Sequence, residues 1–456
     1  PEWPSVPEEQ AGFRYPRKTF QATPPTRKAF VSHILAQPDL PETQQDDWPQ
    51  RSRSDYGLVA YTLRHMARRN IWPHRRWQEA LRVWRDEAFA ERSWRHILPL
   101  LARAPDDLLK GAAYDISSWA KVAAERSDGQ DDALVTLADR MLALDHVPAD
   151  GTDDPLMQAI NHPVGHMTEA LLRHWFRQEL TDGQGIPEPI APLFAKLCDT
   201  GVVEFRHGRV LLATRLIALF RVDPEWTTHH LLPLFGWQRS EAEARAAWYG
   251  FLWSPQLYRP LMEQLKSAFL DTARHYPSLD DLGRNYATLL TFAGLNPRDV
   301  FTIRELADAT AALPPEGLVE AAGALIKALD ASGAQRGDYW ANRVVPYLRR
   351  VWPHSRERLT PPIQKRFARL CITAGHGFPD AVEVLHARLA AVDDPDHLLH
   401  KLAETDLCGR FPEAALRFLD FIIGQQPDSW ATNHLRTCLV TIATAMPTAE
   451  TDQRYS

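Results

Sequence analysis

Apolar residues recur three and four positions apart along most of the chain, which is the spacing of amphipathic helices. The pattern is clear from residue 55 onward, as in Leu58 with Tyr61, and in Trp77 with Leu81 and Trp84. Short breaks rich in Pro, Gly or Asp separate these stretches. The spacing predicts helices over 94–103, 108–125, 131–144, 164–180, 190–199, 209–221, 240–252, 257–275, 279–292, 302–312, 316–331, 339–351, 360–374 and 381–391.

Helices joined by short loops over 456 residues predict an all-α fold, arranged as an α-solenoid-like array of antiparallel helix pairs of the HEAT or tetratricopeptide kind. No strict period is visible, so the repeats are expected to be degenerate. A hairpin of 202–205 against 210–212 is the weaker alternative to a helix there.

The predicted organisation is a proline-rich arm (1–50) with a short helix at 26–37, an N-terminal helical lobe (51–180), central repeats (181–313), C-terminal repeats (314–446) and a tail (447–456). If the helices form two lobes instead, the hinge is expected near 181–192 or 313–315.

Composition places the chain among folded proteins, with 45% hydrophobic and 24% charged residues. Charges interrupt every apolar run, so the sequence predicts a soluble protein without a membrane-spanning helix. The four cysteines lie far apart and form no CxxC pair, which favours a reducing, cytoplasmic location. Because the chain starts at Pro1, a further segment is expected upstream.

The charge is uneven, because residues 51–103 hold twelve arginines and five acids, a net of +7 in a chain of net charge -6. Arginines interleaved with tryptophans are typical of surfaces that bind phosphates and stack on bases. The candidate binding surface consists of Arg64, Arg68, Arg69, Trp72, Arg75 and Arg76. Pairing of these arginines with acids on neighbouring helices, or with a protein partner, is the favoured alternative. The tryptophan stripes are expected to be core.

A search for catalytic chemistry finds no phosphate-binding glycine loop, no nucleophile elbow and no HExxH zinc motif. His397 and His400 lie one helical turn apart but lack an evident third ligand, so a solvated loop is favoured over a metal site. Paired acids such as Asp131–Asp132, Asp153–Asp154 and Asp280–Asp281 precede apolar helical stretches, where carboxylates cap free amides. We therefore expect no catalytic residue, no metal and no cofactor in this chain.

Three segments are similar to a known family. The first runs from 159 to 172 (AINHPVGHMTEALL), where Asn161 can cap a helix and Pro163 is tolerated in its first turn. The second runs from 222 to 237 and the third from 338 to 353. The residues that carry the likeness are Asn161, His162, Pro163, Gly165, Glu169, Asp223, Trp226, Trp340, Asn342, Arg343 and Trp352.

Together these motifs resemble the helical C-terminal region of bacterial defence-associated sirtuin proteins, over about residues 55–440. That region follows a sirtuin-like NAD hydrolase, which is absent here, so no catalytic residue carries over. The resemblance implies a sensor that recognises a phage component, with a phage structural protein as partner, and that controls an attached NAD-depleting effector. The alternative from the residues alone is a nucleic-acid-binding helical array that uses the 51–103 surface.

Overall fold

The computed structural model describes residues 19–41, 43–145, 153–297, 300–392, 394–423 and 432–448. Within these ranges the fold is all-α and repeat-like, as the apolar spacing predicts. The exception is a short parallel pair of strands, β1 (Thr19–Gln21) and β2 (Gln44–Asp46). The chain divides into two compact units between Leu231 and Leu232, a position that the sequence interpretation does not mark.

The first unit contains fourteen α-helices in its described part. They are α1 (Arg27–Ala36), α2 (Trp48–Ser54), α3 (Tyr56–Ala67), α4 (His74–Trp84), α5 (Ala90–Leu101), α6 (Asp106–Gly111), α7 (Ala113–Arg126), α8 (Asp131–Leu142), α9 (Pro155–Asn161), α10 (Pro163–Phe176), α11 (Ala191–Leu197), α12 (Arg206–Thr214), α13 (Leu216–Val222) and α14 (Pro224–Trp226). A π turn (Thr227–Leu231) follows α14, and 3-10 turns lie at Glu87–Phe89 and Val203–Phe205. The hairpin alternative at 202–212 is therefore wrong.

The second unit contains α15 (Glu241–Leu252), α16 (Arg259–Asp271), α17 (Gly283–Leu295), α18 (Ile303–Ala312), α19 (Pro315–Ala331), α20 (Arg336–Tyr339), α21 (Val345–Arg350), α22 (Pro361–Thr373), α23 (Phe378–Leu385), α24 (Asp396–Ala403), α25 (Leu407–Arg410), α26 (Pro412–Ile423) and α27 (Thr432–Ala445). A 3-10 segment (Thr272–Leu282) joins α16 to α17, and a π turn (Trp340–Val344) joins α20 to α21. The longest helix among the described residues, α19, has 17 residues. No helix in the described ranges is long and apolar enough to cross a membrane.

Helices in the first unit pack mainly against the helix two or three elements further along. One row of contacts runs through α2, α4, α7, α10 and α12, and a second runs through α1, α3, α5 and α8. Two interleaved rows of this kind are the packing of helix-pair repeats, in which each repeat buries its apolar face against the next.

Side-chain hydrogen bonds give the spacing of these repeats. Several join residues that are 33 positions apart: Arg82 with Asp115, Arg85 with Ser118, Gln78 with the carbonyl of Gly111 and, in the second unit, Asn285 with the carbonyl of Leu252. Other bonds deviate, since the Trp340 indole reaches Asp380, 40 positions away. The repeats are therefore present but degenerate, which explains why no strict period is visible in the sequence.

The described part of the proline-rich N-terminal segment is folded onto the first unit, whereas the sequence predicts an arm. The short helix expected at 26–37 is present as α1, and Phe30, Ile34 and Trp48 are fully buried. Prolines interrupt this segment without preventing its apolar residues from packing on α3 and α4. Residues 1–18 of the predicted arm and 449–456 of the predicted tail lie outside the described ranges.

Tryptophan supplies much of the core, as expected from its helical spacing. Trp77, Trp84 and Trp175 have no exposed surface. Several indoles also donate across repeats: Trp84 Nε1 donates to the carbonyl of Ser52 at 3.0 Å. Such bonds satisfy the polar edge of a buried indole and join neighbouring helices.

The acid pairs divide between capping and ion pairing. The Asp154 carboxylate caps α9 by accepting from the amides of Leu156 and Met157. Asp131 lies in the first turn of α8, where a carboxylate opposes the helix dipole. The capping interpretation is wrong for Asp280, which accepts from Arg245 at 2.6 Å.

Replacing Arg76 with Ala is expected to destabilise the first unit by about 3–5 kcal/mol, because it leaves the Asp46 carboxylate buried and unpaired. The two side chains are 2% exposed each and meet at 2.6 Å. Chemical denaturation followed by circular dichroism measures the change. The exposed Arg69→Ala is the control and should stay within about 0.5 kcal/mol; equal effects of the two variants would contradict the assignment.

Candidate binding surface

The C-terminal end of α3 and the turn after it carry arginines that have no acidic partner among the described residues. Arg64 and Arg68 lie four positions apart, Arg69 follows at once, and all three side chains are exposed. No carboxylate of a described residue lies within 4.0 Å of their guanidinium groups. Like charges four apart repel each other, but these arginines lie at the C-terminal end of α3, where the helix dipole offsets part of that repulsion.

An aromatic residue completes this surface. Tyr61 is 42% exposed and lies one turn before Arg64 and His65 on α3. The guanidinium carbon of Arg27, on α1, lies 4.2 Å from the centre of the Tyr61 ring. The His65 ring is nearly parallel to the Tyr61 ring, with 5.9 Å between the ring centres. We name Arg27, Tyr61, Arg64, His65, Arg68 and Arg69 the basic face.

The remaining predicted surface residues have structural roles. Arg76 is 1% exposed, so it cannot contact a partner; it pairs with Asp46 and lies 5.0 Å from the Trp48 ring centre. Arg75 is half-buried and donates to Glu79 and to the Gln44 carbonyl, each at 2.9 Å. These two arginines therefore hold the N-terminal segment against α4.

Trp72 is partly exposed, but its ring already has contacts within the protein. It stacks on the buried Trp77 at 5.6 Å between ring centres, and its Nε1 donates to Asn70. Trp77 and Trp84 are core residues. The mixture of arginine and tryptophan that the sequence presents as one surface is thus divided between the core and the basic face.

The uneven charge has a structural explanation. Several arginines of 51–103 pair with acids outside that segment: Arg51 with Asp47, Arg76 with Asp46, and Arg82 with Asp115 through two bonds of 2.8 and 3.0 Å. Three of the seven excess positive charges are therefore neutralised within the unit, which confirms for Arg51, Arg76 and Arg82 the internal pairing that the sequence favours.

The first motif forms a helix junction. Its helix α10 packs on α7, α8, α9 and α12. Pro163 is the first helical residue, as expected. The cap is His162, whose Nδ1 accepts from the Val164 amide at 3.2 Å, and not Asn161, which donates to the Met157 carbonyl.

Gly165 is required at this junction by close backbone approach. A Cβ at this position would lie 1.9 Å from the carbonyl oxygen of Ala159. Only glycine lets α9 and α10 meet at that distance.

Buried polar groups surround the same junction. The His166 ring is hydrogen-bonded through both nitrogens. Its Nδ1 lies 3.2 Å from Ser117 Oγ, and its Nε2 lies 2.8 Å from the carbonyl oxygen of Ile160. Burial, with the nearby Lys121 ammonium, lowers the pKa of His166 to about 3. A neutral imidazole held on both nitrogens is a structural link, and it is not arranged as a general base.

Glu169 forms ion pairs with basic side chains next to this junction. Glu169 accepts from Arg173 at 3.0 Å and lies 3.6 Å from Lys121. Arg173 also pairs with Glu125 on α7. Burial lowers the pKa of Lys121, and Glu169 partly offsets this effect.

The two tryptophan motifs share a different local structure. Asp223 caps α14 by accepting from the Trp226 amide at 2.9 Å, and the π turn Thr227–Leu231 follows directly. In the second unit Trp340 begins the other π turn, is buried, and donates to Asp380 at 2.7 Å. A proline follows each turn by a few residues, and a residue without an amide donor is tolerated where the regular ladder is already broken.

The other residues of the third motif divide between surface and core. Asn342 and Arg343 are exposed on the π turn, whereas Trp352 is 2% exposed and packs against Phe367 at 4.9 Å between ring centres. All three motifs therefore mark packing junctions, and the basic face lies outside them. Sequence reasoning did not include Arg27 and Tyr61, since only the contact of α1 with α3 brings them together.

Comparisons with known proteins add little to this geometry. No protein-family model matches the chain. A stretch of 122 residues is 30% identical to the uncharacterized protein y4cA of Sinorhizobium fredii (strain NBRC 101917 / NGR234), and it spans 26% of this chain but 10% of that protein. Among solved structures, the crystal structure of an engineered protein is 14% identical, with 87% of this chain and 99% of that chain covered, at a TM-score of 0.21. A similarity at that score carries no argument about the fold.

Gly165→Ala is expected to destabilise the first unit by about 1–3 kcal/mol, because the added methyl meets the Ala159 carbonyl and α9 and α10 must separate. Thermal unfolding measures the change. Gly337→Ala is the control, since a Cβ there meets nothing within 4 Å; it should be neutral or stabilise by up to about 1 kcal/mol. A tolerated Gly165→Ala would show that the junction is looser than described.

The free energy of unfolding is expected to fall as the pH drops below 6.5. The unfolded His166 takes up a proton near its ordinary pKa, whereas the folded one stays neutral until about pH 3. The loss approaches about 1.4 kcal/mol per pH unit within that window. Urea denaturation between pH 7 and pH 4 tests this, and His166→Gln should flatten the slope relative to the exposed His96→Gln. An unchanged slope in His166→Gln would contradict it.

Proposed function

We propose that this chain is a non-catalytic recognition scaffold that binds an acidic surface of a protein partner through the basic face. The observation that carries the proposal is the set of exposed arginines at the C-terminal end of α3 and just after it, which have no acidic partners among the described residues. The helix array supplies a rigid support, since α3 is packed on α1, α2 and α5.

The contrast with other helices strengthens this argument. Helical arginines of this chain repeatedly have an acid four positions away, as in Arg75 with Glu79, Arg173 with Glu169 and Arg417 with Glu413. Arg64 instead has another arginine, Arg68, four positions further on at the C-cap of α3. Such a cluster attracts an acidic partner and speeds the encounter with it.

A protein partner is favoured over nucleic acid because few aromatic faces are available. Trp77 and Trp84 are buried, and Trp72 lies on Trp77. The exposed Tyr61 has Arg27 over its ring. Stacking of successive bases needs open aromatic faces, which this surface offers only after rearrangement.

The resemblance to defence-associated sirtuin proteins suggests the biological setting. In that setting the chain is a cytoplasmic sensor domain that recognises a phage structural protein and controls an attached NAD-depleting effector that this sequence does not include. The similarity of 122 residues to a part of the much longer protein y4cA is compatible with such a modular arrangement. Binding at the basic face would act on the effector through helices that shift against each other.

Reversing the charge at Arg64, Arg68 and Arg69 (R64E/R68E/R69E) is expected to weaken binding of a phage structural protein by roughly tenfold or more, since three favourable charge contacts become repulsive. The partner is captured from infected cells on the whole natural protein, identified by mass spectrometry, purified, and titrated by calorimetry. The control is R304E/R349E/R350E, which makes the same charge change at exposed positions of the second unit. Equal weakening by both triple variants, or no phage protein captured by either the chain or the whole protein, would contradict the proposal.

The nucleic-acid alternative is tested by a gel shift with short single-stranded and duplex DNA. We expect no shift even at low salt. A shift that weakens steeply with salt and disappears in R64E/R68E/R69E would instead assign the basic face to nucleic acid, because release of counterions makes phosphate binding salt-dependent.

A further inference from the structure

The second unit has a cavity whose polar lining is positively charged or basic. Its volume is about 330 Å³, and its lining includes Lys365, Arg366 and Arg369 of α22 and His397 of α24. Val319 of α19, Pro362 of α22 and Leu398 of α24 complete the walls. The cavity thus lies where α22 packs between α19 and α24.

The cations of this cavity lack counter-charges among the described residues. No carboxylate there lies within 4.0 Å of the charged nitrogens of Lys365, Arg366 or Arg369. Lys365 Nζ donates to a neutral acceptor, the carbonyl of Asp394, at 3.1 Å. The neighbouring Asp396 carboxylate is instead 3.9 Å from His434.

The positions on α22 add to this repulsion. Lys365 and Arg369 are four apart and Arg366 and Arg369 three apart, so like charges share one helix face, as on α3. Most helical arginines of this chain avoid that arrangement by pairing with an acid. An anion bound in the cavity would remove the repulsion, so α22 is arranged for a ligand that completes its charge balance.

The donor set points to phosphate. Two guanidinium groups one turn apart offer planar forks of N–H donors, and an ammonium and an imidazole lie beside them. The Arg366 side chain runs over Gly323 of α19, where a Cβ would lie 3.9 Å from its guanidinium.

The cavity size limits the ligand. About 330 Å³ lies at the lower end of the range for small-molecule sites, and Val319 and Leu398 offer an apolar wall next to the cations. A nucleoside phosphate has this combination of an anionic end and a flat, weakly polar ring.

We infer that the cavity between α19, α22 and α24 is a binding site for a small phosphate-bearing ligand of the nucleotide kind, held by Lys365, Arg366 and Arg369. This site is in the second unit and is independent of the function proposed for the basic face.

Isothermal titration of the whole chain with inorganic phosphate, pyrophosphate, AMP, ATP and adenosine tests the inference at low and moderate salt. We expect AMP or ATP to bind, adenosine to bind roughly tenfold more weakly or not at all, and affinity to fall with salt. R366Q/R369Q should weaken nucleotide binding by roughly tenfold or more, while R366K/R369K should retain part of it. The control is R349Q/R350Q, which removes two exposed arginines outside the cavity.

Several outcomes would overturn the inference. They are no binding of any of the five compounds, binding of adenosine as tight as that of AMP, and binding that R366Q/R369Q leaves unchanged. Binding of inorganic phosphate or pyrophosphate alone would overturn the nucleotide assignment. A circular dichroism spectrum of R366Q/R369Q that matches the parent chain excludes unfolding as the cause of any loss.

Discussion

The structure depends on side chains that join a helix to a helix about one repeat further along the chain. Arg82 with Asp115 and Arg85 with Ser118 join α4 to α7, each across 33 positions. Buried indoles act in the same way, as Trp84 does toward Ser52. Apolar packing alone tolerates sliding of one helix along another, whereas a directed bond to a buried partner fixes the relative position. These bonds therefore fix the position of one helix along the next, while the apolar stripe of each helix decides which face is buried.

Arginine has opposite roles in this chain, depending on whether tertiary packing places an acid next to it. Arg76 is buried because Asp46 and Trp48 lie against it, while Arg64, on the neighbouring α3, faces outward without an acid. Both the basic face and the cavity lined by α22 place like charges three or four positions apart. Several other helical arginines have an acid four positions away, as Arg75 has Glu79, whereas no described acid pairs with the arginines of these two surfaces.

The motifs that carry the family likeness have roles in packing. Gly165 allows α9 and α10 to approach, His166 links α7 to α10, and Trp226 and Trp340 adjoin π turns. A likeness carried by such residues indicates shared helix junctions. The proposed partner binding is carried instead by the exposed side chains of the basic face, all of which lie outside these motifs.

The sequence by itself determined the helices, because an apolar period of three to four residues is a local property that burial converts directly into amphipathic helices. It also determined the first turn at Pro163 and the tryptophan core at Trp77 and Trp84. Only the tertiary structure decided that the N-terminal segment packs on the first unit, that His162 replaces Asn161 as a cap, and which arginines remain exposed. The physical reason is distance along the chain: an ion pair forms with whatever acid packing brings near, and for Arg76 that acid lies 30 positions upstream.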